Sequence, residues 1–199
     1  MNEVSQLYGL VLAGGKSTRM GKDKRQLHYH GMSQQEYTFG LLELFCESVF
    51  ISVREEQIDD TGTSKYILDE NIAKGPLNGM LSAHVAHSKV AWLVLACDTP
   101  LVDKEVLDTL VAERDTSKMA TAMATQKTDR PEPLIAIWES HALATLLNYL
   151  KTSVNIYPTE FLLNHPIHKV YPKQDVKLMN VNHPEDFDKI KNLLKTPTI

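Results

Sequence analysis

Long apolar runs are missing from this chain. None of its 199 residues falls in an apolar stretch of 18 or more, so neither a membrane-spanning helix nor a membrane partner is expected. Cysteine is nearly absent as well. Cys46 and Cys97 are the only two, which argues against a disulfide framework and for a reducing, cytoplasmic setting. The opening residues, Met-Asn-Glu-Val-Ser-Gln, carry no basic segment, so no secretory leader is expected. There is no internal repeat, no low-complexity segment and no shift of composition. A single domain over residues 1–199 follows as the expectation, and 43% hydrophobic content suffices for one sizeable core. No nucleic-acid partner is expected of a chain whose formal net charge is −4.

What is present begins at the amino terminus. An apolar run, Leu7-Tyr-Gly-Leu-Val-Leu12, reads as a buried strand and breaks into Ala13-Gly14-Gly15. Glycines let backbone N–H groups approach a ligand closely. Lys16, Arg19, Lys22, Lys24 and Arg25 then set five positive charges against Asp23, a local +4 in an acidic chain. That pattern suits a polyphosphate. It is not a P-loop: Gly15-Lys16-Ser17 matches the end of that motif, but the required earlier glycine would fall on Leu10, inside the strand. The G-x-G-x-x-G dinucleotide fingerprint is also missing here.

Farther along, apolar strands alternate with amphipathic helices. Strands are expected at 7–13, 49–53, 66–68, 90–96, 119–125, 133–138 and 168–171. Helices are expected from a Ser33–Glu36 capping box to about Cys46, over 76–88, from about Asp103, over 140–151 and 153–164, and after Pro184. Val106, Leu107, Leu110 and Val111 form one apolar stripe, and Phe187, Ile190, Leu193 and Leu194 another. Such alternation predicts an α/β fold: a mostly parallel, Rossmann-like sheet with helices on both faces. The run Val90-Ala-Trp-Leu-Val-Leu-Ala96 lacks polar alternation and reads as a central strand buried on both faces. It ends in Asp98. Ligands of open α/β sheets bind beyond the carboxyl ends of the strands, so Asp98 is placed to hold Mg²⁺ through oxygen.

Other residue patterns carry less. His28-Tyr-His30 is spaced like two positions on one face of a strand, and His84 and His87 lie three apart on a helix. Neither pair has a third ligand nearby, so zinc is not expected. Ser17 lacks a neighbouring base, and Cys97 reads as a small buried residue rather than a nucleophile. Trp92 and Trp138 lie in apolar runs and read as core. Arg130 and Glu132 flank a loop that should open near the active edge, where Arg130 could meet an anionic acceptor.

The segment Leu12-Ala-Gly-Gly-Lys-Ser-Thr-Arg-Met-Gly-Lys-Asp-Lys24 resembles the signature loop of the MobA-like nucleotidyltransferases, L-A-G-G-x-S-x-R-M-G followed by Asp-Lys. Two further pieces carry the same resemblance. Asp69-Glu-Asn-Ile-Ala-Lys-Gly75-Pro-Leu-Asn-Gly79 is similar to the family's Gly-Pro-Leu-x-Gly with an aspartate ahead of it. Asn180-Val-Asn182-His-Pro-Glu-Asp186 is similar to its Asn-x-Asn-Thr-Pro-Glu-Asp. The resemblance implies a nucleotide-diphospho-sugar transferase type of fold and the transfer of GMP from GTP to the phosphate of the molybdopterin cofactor, with pyrophosphate released and Mg²⁺ required. It assigns Leu12, Ala13, Gly14, Gly15, Lys24, Asp69, Gly75 and Asp98 to the nucleotide. It makes Arg19, Lys24 and Asp98 catalytic, and sends Asn180 and Asn182, with Arg130, toward the acceptor. In the family Ala-Gly-Gly goes with GTP, and Gly15 is that marker here. A transient contact with proteins that handle the molybdenum cofactor would follow.

The pattern also departs from the family. Arg54 stands where relatives often place asparagine, His183 replaces the threonine of Asn-x-Asn-Thr-Pro, and Leu27-His-Tyr-His-Gly31 is atypical of the lead-in to the first helix. Two other readings stay open: a nucleotidyltransferase using another nucleotide or another phosphorylated acceptor such as a sugar phosphate, and a non-catalytic GTP-binding module.

Overall fold

The computed structural model describes residues 5–13, 27–57, 65–152, 157–181 and 184–195. Among them, seven strands form one sheet in the order β3-β2-β1-β4-β6-β5-β7. The strands are β1 (Leu7–Leu12), β2 (Ser48–Val53), β3 (Lys65–Leu68), β4 (Ala91–Ala96), β5 (Ala120–Ala124), β6 (Pro131–Trp138) and β7 (Ile167–Val170). The first four are parallel to one another, with Leu10 of β1 opposite Phe50 of β2 and Val94 of β4. β6 runs against both β4 and β5, and β7 is parallel to β5. The short link between β5 and β6 makes them a hairpin, which only antiparallel strands can form. The expected fold class therefore holds, with one reversed strand that alternation along the sequence does not disclose.

The helices are α1 (Gln34–Glu43), α2 (Pro76–Ala86), α3 (Lys104–Ala112), α4 (Ser140–Leu150), α5 (Pro158–Asn164) and α6 (Pro184–Lys195). Strand parity divides the core into two layers. Val11, Leu93, Leu95 and Ile137 face α1 and α3, meeting Leu41, Leu42, Val106, Leu107 and Leu110. Leu10, Leu12, Trp92, Val94 and Trp138 face α2, α4 and α5, meeting Met80, Leu81, Leu143, Leu146 and Phe161. Both tryptophans are fully buried, as expected of core. Every residue of β4 is buried, which explains its unbroken apolar run.

Local chemistry starts the helices where the sequence says it should. Ser33 and Glu36 form the full capping box of α1. Asp103 caps α3 by accepting from the Val106 N–H at 3.2 Å. Pro76 opens α2, where its missing N–H costs nothing.

Three expectations change. His28 and His30 do not share a strand: His28 makes an isolated bridge to Ser33, and the chain turns back between them through Gly31 at φ 78°. Of the stripe on α6, Ile190 is fully buried while Leu193 and Leu194 are 39% and 36% exposed, because the helix touches the body along one edge only. The helix expected over 153–164 is described from Pro158 onward, and residues 153–156 lie outside the described residues.

Candidate active site

The strands β1–β5 and β7 deliver their carboxyl ends to one edge of the molecule, and β6 begins there. Leu12 and Ala13 close β1, both buried. Gly14, Gly15, Arg19 and Lys24 follow them in sequence and lie outside the described residues, as does Asn182. The positions predicted for the nucleotide and acceptor that are described can be placed one by one.

Asp69 follows β3. Its N–H extends the ladder to the Val53 carbonyl at 2.9 Å, and its Oδ1 accepts from Ser52 Oγ at 2.7 Å. The chain then folds onto the first turns of α2: the Glu70 N–H donates to Ser82 Oγ at 2.9 Å and the Ala73 N–H to Asn78 Oδ1 at 3.1 Å. Gly75 sits at φ 63° just before α2, a conformation that side chains with a Cβ rarely adopt. Gly79, one turn into the helix, lies against the ends of β1 and β2. A Cβ there would collide with Ser52 Oγ and come within 2.9 Å of Leu12 Cδ2. Ser52 thus touches both Asp69 and α2. No motif marks Ser52, whose contact with Asp69 shows only once β2 and β3 are paired.

Asp98, half-buried, follows β4. Its backbone carbonyl accepts from the Val181 N–H at 2.7 Å, which sets the exposed Asn180 one residue from that contact. The Asn180–Val181 stretch therefore lies beside Asp98. The turn after Asp98 is closed by Thr99 Oγ1 donating to the Ala96 carbonyl at 2.9 Å.

Glu132 was visible in the sequence only as a loop flank. Asp98, just past β4, and Glu132, near the start of β6, lie close enough for the charge of one to act on the other. Burial pushes the Glu132 carboxyl above its ordinary value. The Arg130 guanidinium pulls it back down, and the charge of Asp98 pushes it up again. The hairpin loop that precedes it is pinned from outside. Asp175 accepts from the Gln126 and Lys127 N–H groups at 2.8 and 3.0 Å, and Gln126 Nε2 donates to the Pro172 carbonyl at 2.7 Å. Asp129 holds Lys169 and Tyr171. Arg130 is exposed at the end of this loop.

Leu12 packs in the α2 layer of the core, Ser52 lies against Gly79 of α2 and donates to Asp69, and Asp98 and Glu132 lie within electrostatic reach of each other at the same carboxyl edge. Carboxylate oxygens dominate this corner. Among the described residues no three His, Cys, Asp or Glu side chains converge to cage a metal alone. Such a donor set fits Mg²⁺, which takes one or two carboxylates, keeps waters and completes its shell with substrate phosphates. It does not fit zinc. No helix of the described residues is long and apolar enough to cross a membrane.

Known proteins match this arrangement. Residues 9–159 fit the model of the MobA-like NTP transferase domain. The "Molybdenum cofactor biosynthesis bifunctional protein" of Synechocystis sp. is 32% identical over 94% of this chain, which spans 55% of that protein's length. The "Probable molybdenum cofactor guanylyltransferase" of Opitutus terrae is 31% identical over 93% of this chain and 95% of its own. The crystal structure of molybdopterin-guanine dinucleotide biosynthesis protein A from Archaeoglobus fulgidus superposes with a TM-score of 0.76, at 21% identity, over 94% of this chain and 97% of that one, a likeness of fold. With the matched residues running from β1 through Asp69, Asp98 and the β5–β6 hairpin into the start of α5, the chain belongs to the MobA-like NTP transferase domain family.

Proposed function

We propose that this protein transfers GMP from GTP to the phosphate of the molybdopterin cofactor. An oxygen of the acceptor phosphate attacks the α-phosphorus of GTP, a new P–O–P link forms, the bond from the α-phosphorus to its β-bridging oxygen breaks, and pyrophosphate leaves. One observation carries this reading: the Asp69–Gly79 turn, Asp98 and the Asn180 segment meet at the edge where β1 runs into the Leu12-Ala-Gly-Gly15 signature.

A phosphate monoester has a second pKa near ~6, so the nucleophile is already ionised near neutral pH. It needs no general base, and none is required of Glu132 or a histidine. What remains is positioning and charge neutralisation at the α-phosphorus. Leu12 and Ala13 line the base, and Gly14 and Gly15 offer backbone N–H groups to the phosphates. Arg19 and Lys24 offset charge on the departing pyrophosphate. Asp69 and Gly75 shape the nucleotide side of the cleft. Arg130, Asn180 and Asn182 hold the acceptor. Asp98 would hold Mg²⁺, which supplies charge neutralisation on the triphosphate when bound.

The test is thermal stabilisation by GTP, CTP, ATP and UTP, each with Mg²⁺, followed by pyrophosphate release with molybdopterin as acceptor. Ligand at about 100 times its dissociation constant stabilises by about 2.7 kcal/mol. A response to GTP alone, with release that depends on molybdopterin, is the expected result. A preference for another nucleotide, or release only with a sugar phosphate, overturns the assignment and keeps the chemistry. Binding without release with any acceptor points to the non-catalytic module.

A further inference from the structure

Between the signature loop and α1 the chain makes the turn Leu27–Ser33, and its side chains reach the segment just after Asp98. His30 Nε2 lies 2.9 Å from the Pro100 carbonyl. A carbonyl can only accept, so Nε2 carries the proton and donates. The imidazole lies flat on the ring of Tyr37 in α1, with centroids 3.6 Å apart and planes 12° from parallel. The Tyr37 hydroxyl donates to the Val102 carbonyl at 3.1 Å. Burial and the charge of Asp103 push the Tyr37 phenol up to about 12, so it stays a donor at any working pH. One stacked pair of rings thus grips two carbonyls, two residues apart, in the turn that presents Asp98.

That turn needs a grip from outside. Pro100 has no N–H, so its carbonyl is the only backbone handle at that residue. The neighbouring Tyr29 leans the other way, onto Phe187 of α6 with ring centroids 5.0 Å apart, in the small cluster of Leu101, Val181 and Ile190. The nine residues from 29 to 37 therefore touch both segments that flank Asp98: the Thr99–Val102 turn and the strand-like run through Val181. They also begin four residues after Arg25, the last of the basic residues that follow β1 in the sequence.

We infer that His30, backed by Tyr37, is a positioning residue that fixes the Asp98 carboxylate by holding the Thr99–Val102 turn. The inference rests on the proposed nucleotidyl transfer. His30 touches neither nucleotide nor acceptor. Its contribution is to hold the metal-bearing carboxylate in one place while the loop engages the triphosphate, since a small misplacement of a catalytic group lowers turnover more than binding.

The experiment compares wild type, His30→Ala, His30→Gln and Tyr37→Phe in three readouts: Mn²⁺ affinity by electron paramagnetic resonance in the presence of nucleotide, nucleotide KM, and kcat for pyrophosphate release. Glutamine retains an N–H donor of similar reach. The expected result is that His30→Ala weakens Mn²⁺ binding and lowers kcat, each by about threefold to tenfold, as suits one lost hydrogen bond. KM changes less than about twofold, and His30→Gln recovers most of both losses. Tyr37→Phe gives a smaller loss of the same kind. A drop in melting temperature with kcat and Mn²⁺ affinity unchanged overturns the inference, as does a loss confined to KM. Whichever nucleotide and acceptor the wild type uses serve for the comparison, so failure of the guanylyl assignment and failure of the positioning role are read separately.

Discussion

At the amino edge of the sheet, Arg114 and Glu139 form a two-point ion pair at 2.7 and 2.9 Å, with side chains only 11% and 3% exposed. Ser5 completes it: its hydroxyl and carbonyl accept from Arg114, and its hydroxyl also donates to Glu139. Donors and acceptors are matched within the protein. At the carboxyl edge, the charge of Asp98 and burial both work against the ionisation of Glu132, and the Arg130 guanidinium favours it. The same sheet thus ends at one edge in an ion pair closed within the fold and at the other in a partly buried carboxyl on which Arg130 and Asp98 act in opposite senses. The first arrangement holds the fold, and the second keeps a carboxyl partly buried at a cost to the fold.

The largest effect expected from breaking this contrast is at Asp98. Asp98→Ala should lower pyrophosphate release by at least ~10³-fold while the melting temperature changes little, since a half-buried charge within electrostatic reach of another carboxyl is removed. Retained transfer in that variant sinks the metal assignment. Lys24→Ala should lower the rate by about 10²-fold through the leaving pyrophosphate, and an unchanged rate returns Lys24 to the solvated surface.

The amino edge should behave in the opposite way. Arg114→Ala leaves Glu139 buried and unpaired, at a cost of about 3–5 kcal/mol, with the activity of the folded fraction preserved. Urea denaturation reads the loss, and a midpoint close to wild type would show that the pair is not needed. Gly79→Ala should cost about 1–3 kcal/mol through the collision with Ser52 and Leu12 and should also weaken nucleotide binding, because Ser52 holds Asp69.

The smallest effect expected lies in the pH dependence of Glu132. Its folded-state pKa is raised, so the carboxyl is tolerated below the ordinary value of 4.5 and stability is lost as pH rises through the folded value. Metal-free Glu132→Gln should therefore melt slightly above wild type at neutral pH, with the gap closing as pH falls below that of a free carboxyl. A constant gap across pH would mean that packing, not ionisation, separates the two.

Much of this was legible in the residues. Asp103 and Ser33 announce their helices because caps are local chemistry, and β4 announces itself because burial on both faces leaves no polar alternation. Asp98 could be placed at the working edge because a parallel strand that ends in a carboxylate has only one end to offer. Pairings between distant segments could not be read. The reversal of β6 depends on which strand fills the gap beside β4, and the nearness of Glu132 to Asp98 depends in turn on that reversal. Ser52 and the grip of His30 on Pro100 arise from contacts 17 and 70 residues apart in the chain, with no motif to mark them.

The position of β6 bears on the order in which the molecule can be assembled during synthesis. Strands β1 to β4 are neighbours that need nothing made later, so residues up to Asp98 can complete the parallel half as they emerge. β5 comes next, but among the described residues its partners are β6 and β7, so it waits without a neighbour until β6 has been made and has slid in beside β4. The hairpin that brings Glu132 and Arg130 to the carboxyl edge is also the step that joins β5 to the rest of the sheet, and the newborn chain gains that edge and its continuous core in the same event.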